Sequence, residues 1–183
     1  MMERRTPLGL LRKNLLLTGL PGVGKTTLIR KLAEALKGLH PVGFYTGEIR
    51  ERGERKGFEL AGLEGMRRLL SHKEIESTFR VGPYRVDVKS FEDFLSSLSF
   101  FNPSNRLIIM DEIGKMECLS TQFKKLLQEI LDSEKWVIAT IALKGRGPID
   151  EVKKRQDVKL FEITQENRDA LFSKILKEVI IGS

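Results

Sequence analysis

Gly19-Leu20-Pro21-Gly22-Val23-Gly24-Lys25-Thr26 fits the spacing G-x-x-x-x-G-K-[ST] in full. Glycines at these places let backbone N–H groups turn inward around a phosphate with no side chain in the way. A helix starting near Lys25 adds unpaired N–H groups and the positive end of its dipole. In such a site the Lys25 ammonium reaches the β- and γ-phosphates, the Thr26 hydroxyl ligates magnesium, and Thr27 contacts the α-phosphate. A glycine-rich loop can also do no more than end a strand. Here the apolar run Leu15-Leu16-Leu17-Thr18 stands directly before it and an amphipathic helix directly after, which is the context phosphate binding demands.

A second constellation is Leu107-Ile108-Ile109-Met110-Asp111-Glu112, an apolar strand ending in two carboxylates. Asp111 is expected on the magnesium side, usually through a bound water, and Glu112 to polarise an attacking water as general base. The bland alternative is an acidic pair capping the next helix. Transfer of a phosphoryl group to water needs further positive charge at the γ-phosphate. Arg146, between Gly145 and Gly147, is the expected internal arginine finger, with a plain solvated loop arginine as the alternative. Lys115 in Ile113-Gly114-Lys115-Met116-Glu117 is its rival. Thr140 is expected near the γ-phosphate, either orienting water or as a simple strand-end threonine.

These groups need a scaffold. Leu28, Ile29, Leu32 and Leu36 form a helical stripe after the glycine loop. Strand–helix pairs recur at Leu107 to Met110, at Trp136 to Ile141 and at Leu160 to Ile163, the last leading to a helix with Leu171, Phe172, Ile175, Leu176 and Val179 on its stripe. Such alternation predicts a three-layer α/β domain on a mostly parallel sheet. Asp followed by Glu favours the hydrolytic branch of P-loop proteins with an additional strand between the two motif strands, order 5-1-4-3-2. Trp136 to Ile141 would be that strand.

The middle third departs from this scheme. Val42 to Ile49 and Phe58 to Leu63 read as a hairpin over residues 42–63, joined by the polar link Arg50 to Gly57. Residues 65–85 read as irregular, and Ser90 with Asp93 as a capping box for a helix carrying Phe91, Phe94, Leu95 and Leu98. Residues 1–13 read as a basic lead-in, and 14–183 as one domain.

Composition excludes several classes. At 183 residues, 40% hydrophobic and 31% charged, the chain reads as soluble and globular rather than disordered, with no apolar run near the ~20 residues a membrane helix needs. No apolar signal core follows Met1, so a cytoplasmic location is expected. One cysteine, Cys118, forms no internal disulfide, and with only His40 and His72 a zinc cluster is excluded. The net charge of +7 suits an anionic partner, or an ion-pair-rich surface of the kind thermophiles carry.

The motifs taken together are more specific than any one. Gly19 to Thr27, Gly43-Phe44-Tyr45-Thr46, Asp111-Glu112-Ile113-Gly114-Lys115-Met116-Glu117, Ala139-Thr140-Ile141 and Glu166-Asn167-Arg168-Asp169 occur in the order that resembles the cancer-related nucleoside-triphosphatase family, small P-loop enzymes of thermophiles and animals. The resemblance runs from about Asn14 to the C-terminus. It implies a RecA-like sheet and magnesium-dependent hydrolysis of nucleoside triphosphates with broad base tolerance. It also implies phosphate and magnesium contacts for Lys25 and Thr26, the metal-side carboxylate for Asp111 and the base for Glu112. Ala142 and Leu143 open the loop after β-strand Trp136 to Ile141, where the family often has polar or basic residues. Asn167 or Arg168 can approach the nucleotide base, with helix capping by Thr164 and Asn167 as the alternative. Phe44, Tyr45, Glu48 and Arg50 either wall the cleft or join the core.

Two other functions stay open at this level. A nucleoside or nucleotide kinase would share the fold and use an arginine-rich lid, for which Arg50, Arg52, Arg55, Arg67 and Arg68 are available. A nucleic-acid-associated module would use the basic charge, but no alternation of aromatic and basic residues forms a stacking platform. No long apolar surface stripe is evident, and a monomer is expected.

Overall fold

Five apolar strands flanked on both faces by helices set the architecture. The computed structural model describes residues 12–183. The basic lead-in over 1–13 therefore falls almost wholly outside the described residues. Strand β1 (Asn14–Thr18) is buried along its whole length. Its residues alternate between two helical layers, because successive strand side chains point to opposite faces. Leu15 and Leu17 pack with Leu28, Ile29 and Leu32 of α1 (Lys25–Ala35) and Ile175 and Val179 of α5 (Arg168–Gly182). Leu16 packs on the other face, with Phe91 and Phe94 of α2 (Val88–Ser96) and Phe123, Leu127 and Ile130 of α3 (Thr121–Asp132).

The remaining strands are β2 (Pro41–Glu51), β3 (Glu54–Gly62), β4 (Arg67–His72), β5 (Arg80–Val81), β6 (Tyr84–Val86), β7 (Leu107–Ile113), β8 (Trp136–Ile141) and β9 (Val158–Glu162). They lie in one sheet, ordered β5-β6-β4-β3-β2-β7-β8-β1-β9. Strands β2, β7, β8, β1 and β9 pair in parallel, and counted by themselves in chain order they run 5-1-4-3-2. The additional strand β8 thus lies between the two motif strands, as expected.

The sheet is wider than the sequence suggested. The hairpin is joined by Arg52 and Gly53 alone, both at positive φ (48° and 82°), the backbone that matches strand twist in a two-residue turn. Most of the polar link 50–57 is therefore strand. Residues 65–85, expected to be irregular, contain β4, β5 and β6, which extend the sheet antiparallel from β3. The α2 cap is also corrected. Asp87, not Ser90, is the N-cap, and its Oδ1 accepts from the Ser90 backbone N–H at 2.9 Å. Phe44 of β2 anchors this side of the core, edge-on to Phe91 and Phe94 with centroids 6.1 and 5.9 Å away.

Candidate active site

Every group singled out for chemistry lies at or beyond the carboxyl ends of the parallel strands, where open α/β sheets bind ligands. The glycine loop follows β1 and turns straight into α1. Gly22 and Gly24 take φ of 76° and 102°, conformations open to glycine at little cost. No side chain among the described residues caps α1, which leaves its first-turn N–H groups for an anion. Lys25 Nζ lies over the loop, donating to Gly19 O at 2.8 Å and Leu20 O at 3.0 Å.

The carboxylate pair depends on a register shift. Met110 pairs with Ala139 and Ile113 with Ile141, so β7 carries one more residue than β8 between these points. In a regular strand Asp111 and Glu112 would face opposite sides. With the extra residue both line one cleft, together with Lys25 and Thr26. Asp111 is buried and held by three threonine hydroxyls. Thr26 Oγ1 donates to Oδ2 at 2.6 Å, Thr140 Oγ1 to Oδ1 at 2.5 Å, and Thr46 Oγ1 to the backbone O at 2.6 Å. Burial raises the Asp111 carboxyl above the usual carboxylate range, against the opposing pull of these hydroxyls and Lys25. Glu112 is raised too, by burial and then by the Asp111 charge.

Gly114 brings a third acid inward. A Cβ there would lie 2.7 Å from Glu112 Oε1 and 2.8 Å from Glu117 Oε2, so both carboxyls crowd the one position that lacks a side chain. Glu117, only 3% exposed, is pushed up to about 8 by burial and by Glu112.

The cleft encloses about 700 Å³. Gly19, Pro21, Gly22, Gly24, Lys25, Thr26 and Thr27 line it, with Asp111, Glu112 and Lys115. Leu20 is exposed and Val23 joins the core, so these two serve the loop through backbone alone. Thr140 is fully buried and donates its one proton to Asp111. Arg146 is exposed and stands outside the cleft lining, whereas its rival Lys115 is part of it. Asn167 is engaged locally, its Oδ1 accepting from Thr164 N–H at 2.8 Å and its Nδ2 donating to Glu162 O at 2.9 Å. Arg168 opens α5 beside the phosphate loop, with Nη1 3.5 Å from the place a Gly24 Cβ would take. Of the four residues left between cleft and core, Glu48 lines the cleft, Arg50 pairs with Glu48, Phe44 is core, and Tyr45 lies under the Arg30 guanidinium at 4.4 Å.

Two residues at the site carry no role in the sequence alone, and a third, Arg55, figures there only among the arginines available for a kinase lid. Thr46 ends the Gly43-Phe44-Tyr45-Thr46 string and Glu117 ends the Asp111 to Glu117 string, so the signal for both was their membership of those strings. Arg55, in the polar link, had no local signal beyond its charge.

The chain resembles known proteins in both sequence and fold. The model of a family described as NTPase matches residues 14–176. Nucleoside-triphosphatase THEP1 of Thermotoga maritima is 44% identical over 163 residues, covering 88% of this chain and 92% of that protein. Human cancer-related nucleoside-triphosphatase is 39% identical over 180 residues, covering 90% and 95%. The crystal structure of THEP1 from Aquifex aeolicus superposes with a TM-score of 0.77 at 35% identity, covering 90% of this chain and 97% of that one. The solution structure of the human protein gives 0.78 at 39%, covering 91% and 96%. The match across nearly the whole of each chain places this protein in the nucleoside-triphosphatase family to which THEP1 and the human cancer-related enzyme belong.

Proposed function

We propose that this chain hydrolyses nucleoside triphosphates to the diphosphate and phosphate, with broad tolerance of the base. The observation that carries it is the convergence of Lys25, Thr26, Asp111 and Glu112 on one cleft. Family membership supports hydrolysis over transfer to an organic acceptor.

The loop backbone and Lys25 hold the phosphate chain. Thr26 Oγ1 and the Asp111 carboxylate, here hydrogen-bonded to each other at 2.6 Å, are neighbouring hard oxygen donors of the kind magnesium takes. Magnesium bound there would neutralise charge on the phosphate oxygens. Thr140 and Thr46 keep Asp111 in place by spending their protons on it. Glu112 accepts a proton from water as its oxygen bonds to the γ-phosphorus and the bond to the bridging oxygen breaks, releasing the diphosphate. Arg168, beside Gly24, is the nearer of the two residues expected at the base, while Asn167 holds the Glu162–Thr164 turn.

No helix among the described residues is long and apolar enough to cross a membrane. A cytoplasmic monomer acting on free nucleotides is the arrangement we favour, with nucleic acid as no required partner. The test is phosphate release from a panel of triphosphates with magnesium, with and without added nucleosides as acceptors. Release without an acceptor is expected. Phosphorylation of an acceptor with no free phosphate overturns the reading.

A further inference from the structure

Hydrolysis at the γ-phosphate calls for a cation beyond Lys25, and the arginine expected to supply it lies outside the cleft. The cations that do line the cleft are Lys25, Lys115 and Arg55. Of the five arginines in the middle of the chain that suggested a lid, Arg55 alone is among the lining residues.

Arg55 is brought there by the hairpin. It is the second residue of β3, opposite Arg50, and its guanidinium turns back along the sheet toward the site. Nη2 lies 2.5 Å from Glu48 Oε1, and the guanidinium carbon lies 5.5 Å from the centre of the Phe58 ring. Glu48 is paired with Phe58 across the strands, so holder and platform are neighbours. Glu48 also follows Thr46 by two residues on the same face of β2, about 7 Å further along the strand. Thr46 is the residue whose hydroxyl donates to Asp111 O.

Strand order gives the direction. From β1 with its phosphate loop the sheet proceeds through β8 to β7 with the carboxylates, then β2 with Glu48, then β3 with Arg55. The carboxylates thus stand between the phosphate loop and Arg55 in strand order, and a phosphate chain held by Lys25 with its γ-end toward Glu112 would extend toward Arg55. Arg55 also has capacity to spare. Its Nε is buried with no hydrogen-bond partner among the described residues, and Glu48 is shared with Arg50, whose Nε and Nη2 both reach Oε2 at 2.7 Å. A guanidinium has five donors in a rigid fork, which suits two oxygens of one phosphoryl group.

We propose that Arg55 is a catalytic residue of the triphosphatase, donating from its guanidinium to the γ-phosphate oxygens, with Glu48 as its positioning residue. This rests on the triphosphatase reading above. Arg55 acts by charge alone: the bonds formed and broken, and the proton passed to Glu112, are those already described.

The experiment compares wild type, Arg55→Ala, Arg55→Lys and Arg67→Ala in phosphate release with magnesium and ATP. Arg67 is an exposed arginine of the same antiparallel extension, paired with Glu59, so Arg67→Ala controls for damage to that extension. Arg55→Ala is expected to lose about 10³-fold in kcat with KM little changed, as removal of a transition-state contact should. Arg55→Lys keeps a cation beside Glu48 and so preserves the hairpin, but recovers only part of the rate. Millimolar guanidinium should restore part of the Arg55→Ala rate and leave Arg67→Ala unmoved, a response that a purely structural role does not give. Arg55→Ala and Arg55→Lys both within about threefold of wild type overturn the proposal, as does a loss confined to KM. Absence of phosphate release from wild type instead overturns the triphosphatase reading, and this proposal with it.

Discussion

Thr140 donates its hydroxyl proton to Asp111 Oδ1 at 2.5 Å, from the strand next to the one that carries the aspartate. The other carboxylate oxygen takes the proton of Thr26. The inserted strand therefore has a local use: it delivers a buried donor that fixes a carboxylate at the end of β7, while the helix after the phosphate loop supplies the second donor.

Replacing Thr140 by Val keeps the shape and removes the donor. A buried acceptor left unpaired costs about 1–3 kcal/mol, so the melting temperature should fall. The Asp111 carboxylate is then held by one side-chain donor instead of two, and half-maximal phosphate release should require more magnesium. Thr140→Ser should stay near wild type on both counts. A magnesium titration of the two variants checks this, and equal behaviour of both would remove Thr140 from the positioning of Asp111.

Lys25→Ala should abolish measurable turnover with the fold intact. Among the described residues Lys25 Nζ donates only to the Gly19 and Leu20 carbonyls, neither of which belongs to the core. The loop backbone survives the change, but the charge facing the β- and γ-phosphates is lost. Phosphate release near the wild-type rate, alongside an unchanged circular dichroism spectrum, would contradict the assignment.

Glu112→Gln keeps the size of the side chain and removes its ability to accept a proton. Nucleotide binding should persist while turnover falls by about 10²–10⁴-fold, the usual range for a lost general base. Asp111→Asn should instead weaken the response to magnesium. Identical effects of the two changes on magnesium dependence would show that the labour is not divided between them in this way.

The parts of this site that were legible in the sequence are those where local pattern and chemistry coincide. Leu15-Leu16-Leu17 before the glycines and the Leu28–Leu32 stripe after them identify a strand–loop–helix unit without tertiary information. The antiparallel extension gives no such signal. In β4, Arg67 and Arg68 are exposed and only Leu70 and Ser71 are buried, so neither a two-residue alternation nor an apolar run is visible. The turn at Arg52 and Gly53 lacks the Asn-Gly or Asp-Gly that marks a tight hairpin, and a charged stretch masked two strand ends. Arg55 owes its place to a cross-strand register that sequence does not encode locally. Thr140 was expected near the γ-phosphate; its observed partner, Asp111, depended on which way a strand-end hydroxyl turns. Arg146 was favoured for the freedom its glycines allow; the loop reaches the cleft through Ala142 and Leu143, but Arg146 itself is exposed and outside the lining.

Glu117 is the residue whose burial runs most against expectation, since a glutamate in a short turn ordinarily faces water. In this protein it is 3% exposed behind Gly114, close to Glu112, and its carboxyl is pushed up from 4.5 to about 8. The sign of the consequence follows from proton counts. Between these two values the folded protein keeps the Glu117 proton and the unfolded chain has released it, so the unfolded state binds fewer protons. Stability from this group is fully present below about 4.5 and is lost as pH rises toward about 8, a loss on the order of several kcal/mol. Glu117→Gln imitates the protonated carboxyl in size and has nothing to titrate. Its unfolding free energy should therefore decline less than that of wild type between pH 5 and 8, and the two should differ most at the alkaline end. Urea denaturation at unit pH steps measures this, and parallel curves for the two proteins would mean that Glu117 is already ionised in the folded state at neutral pH.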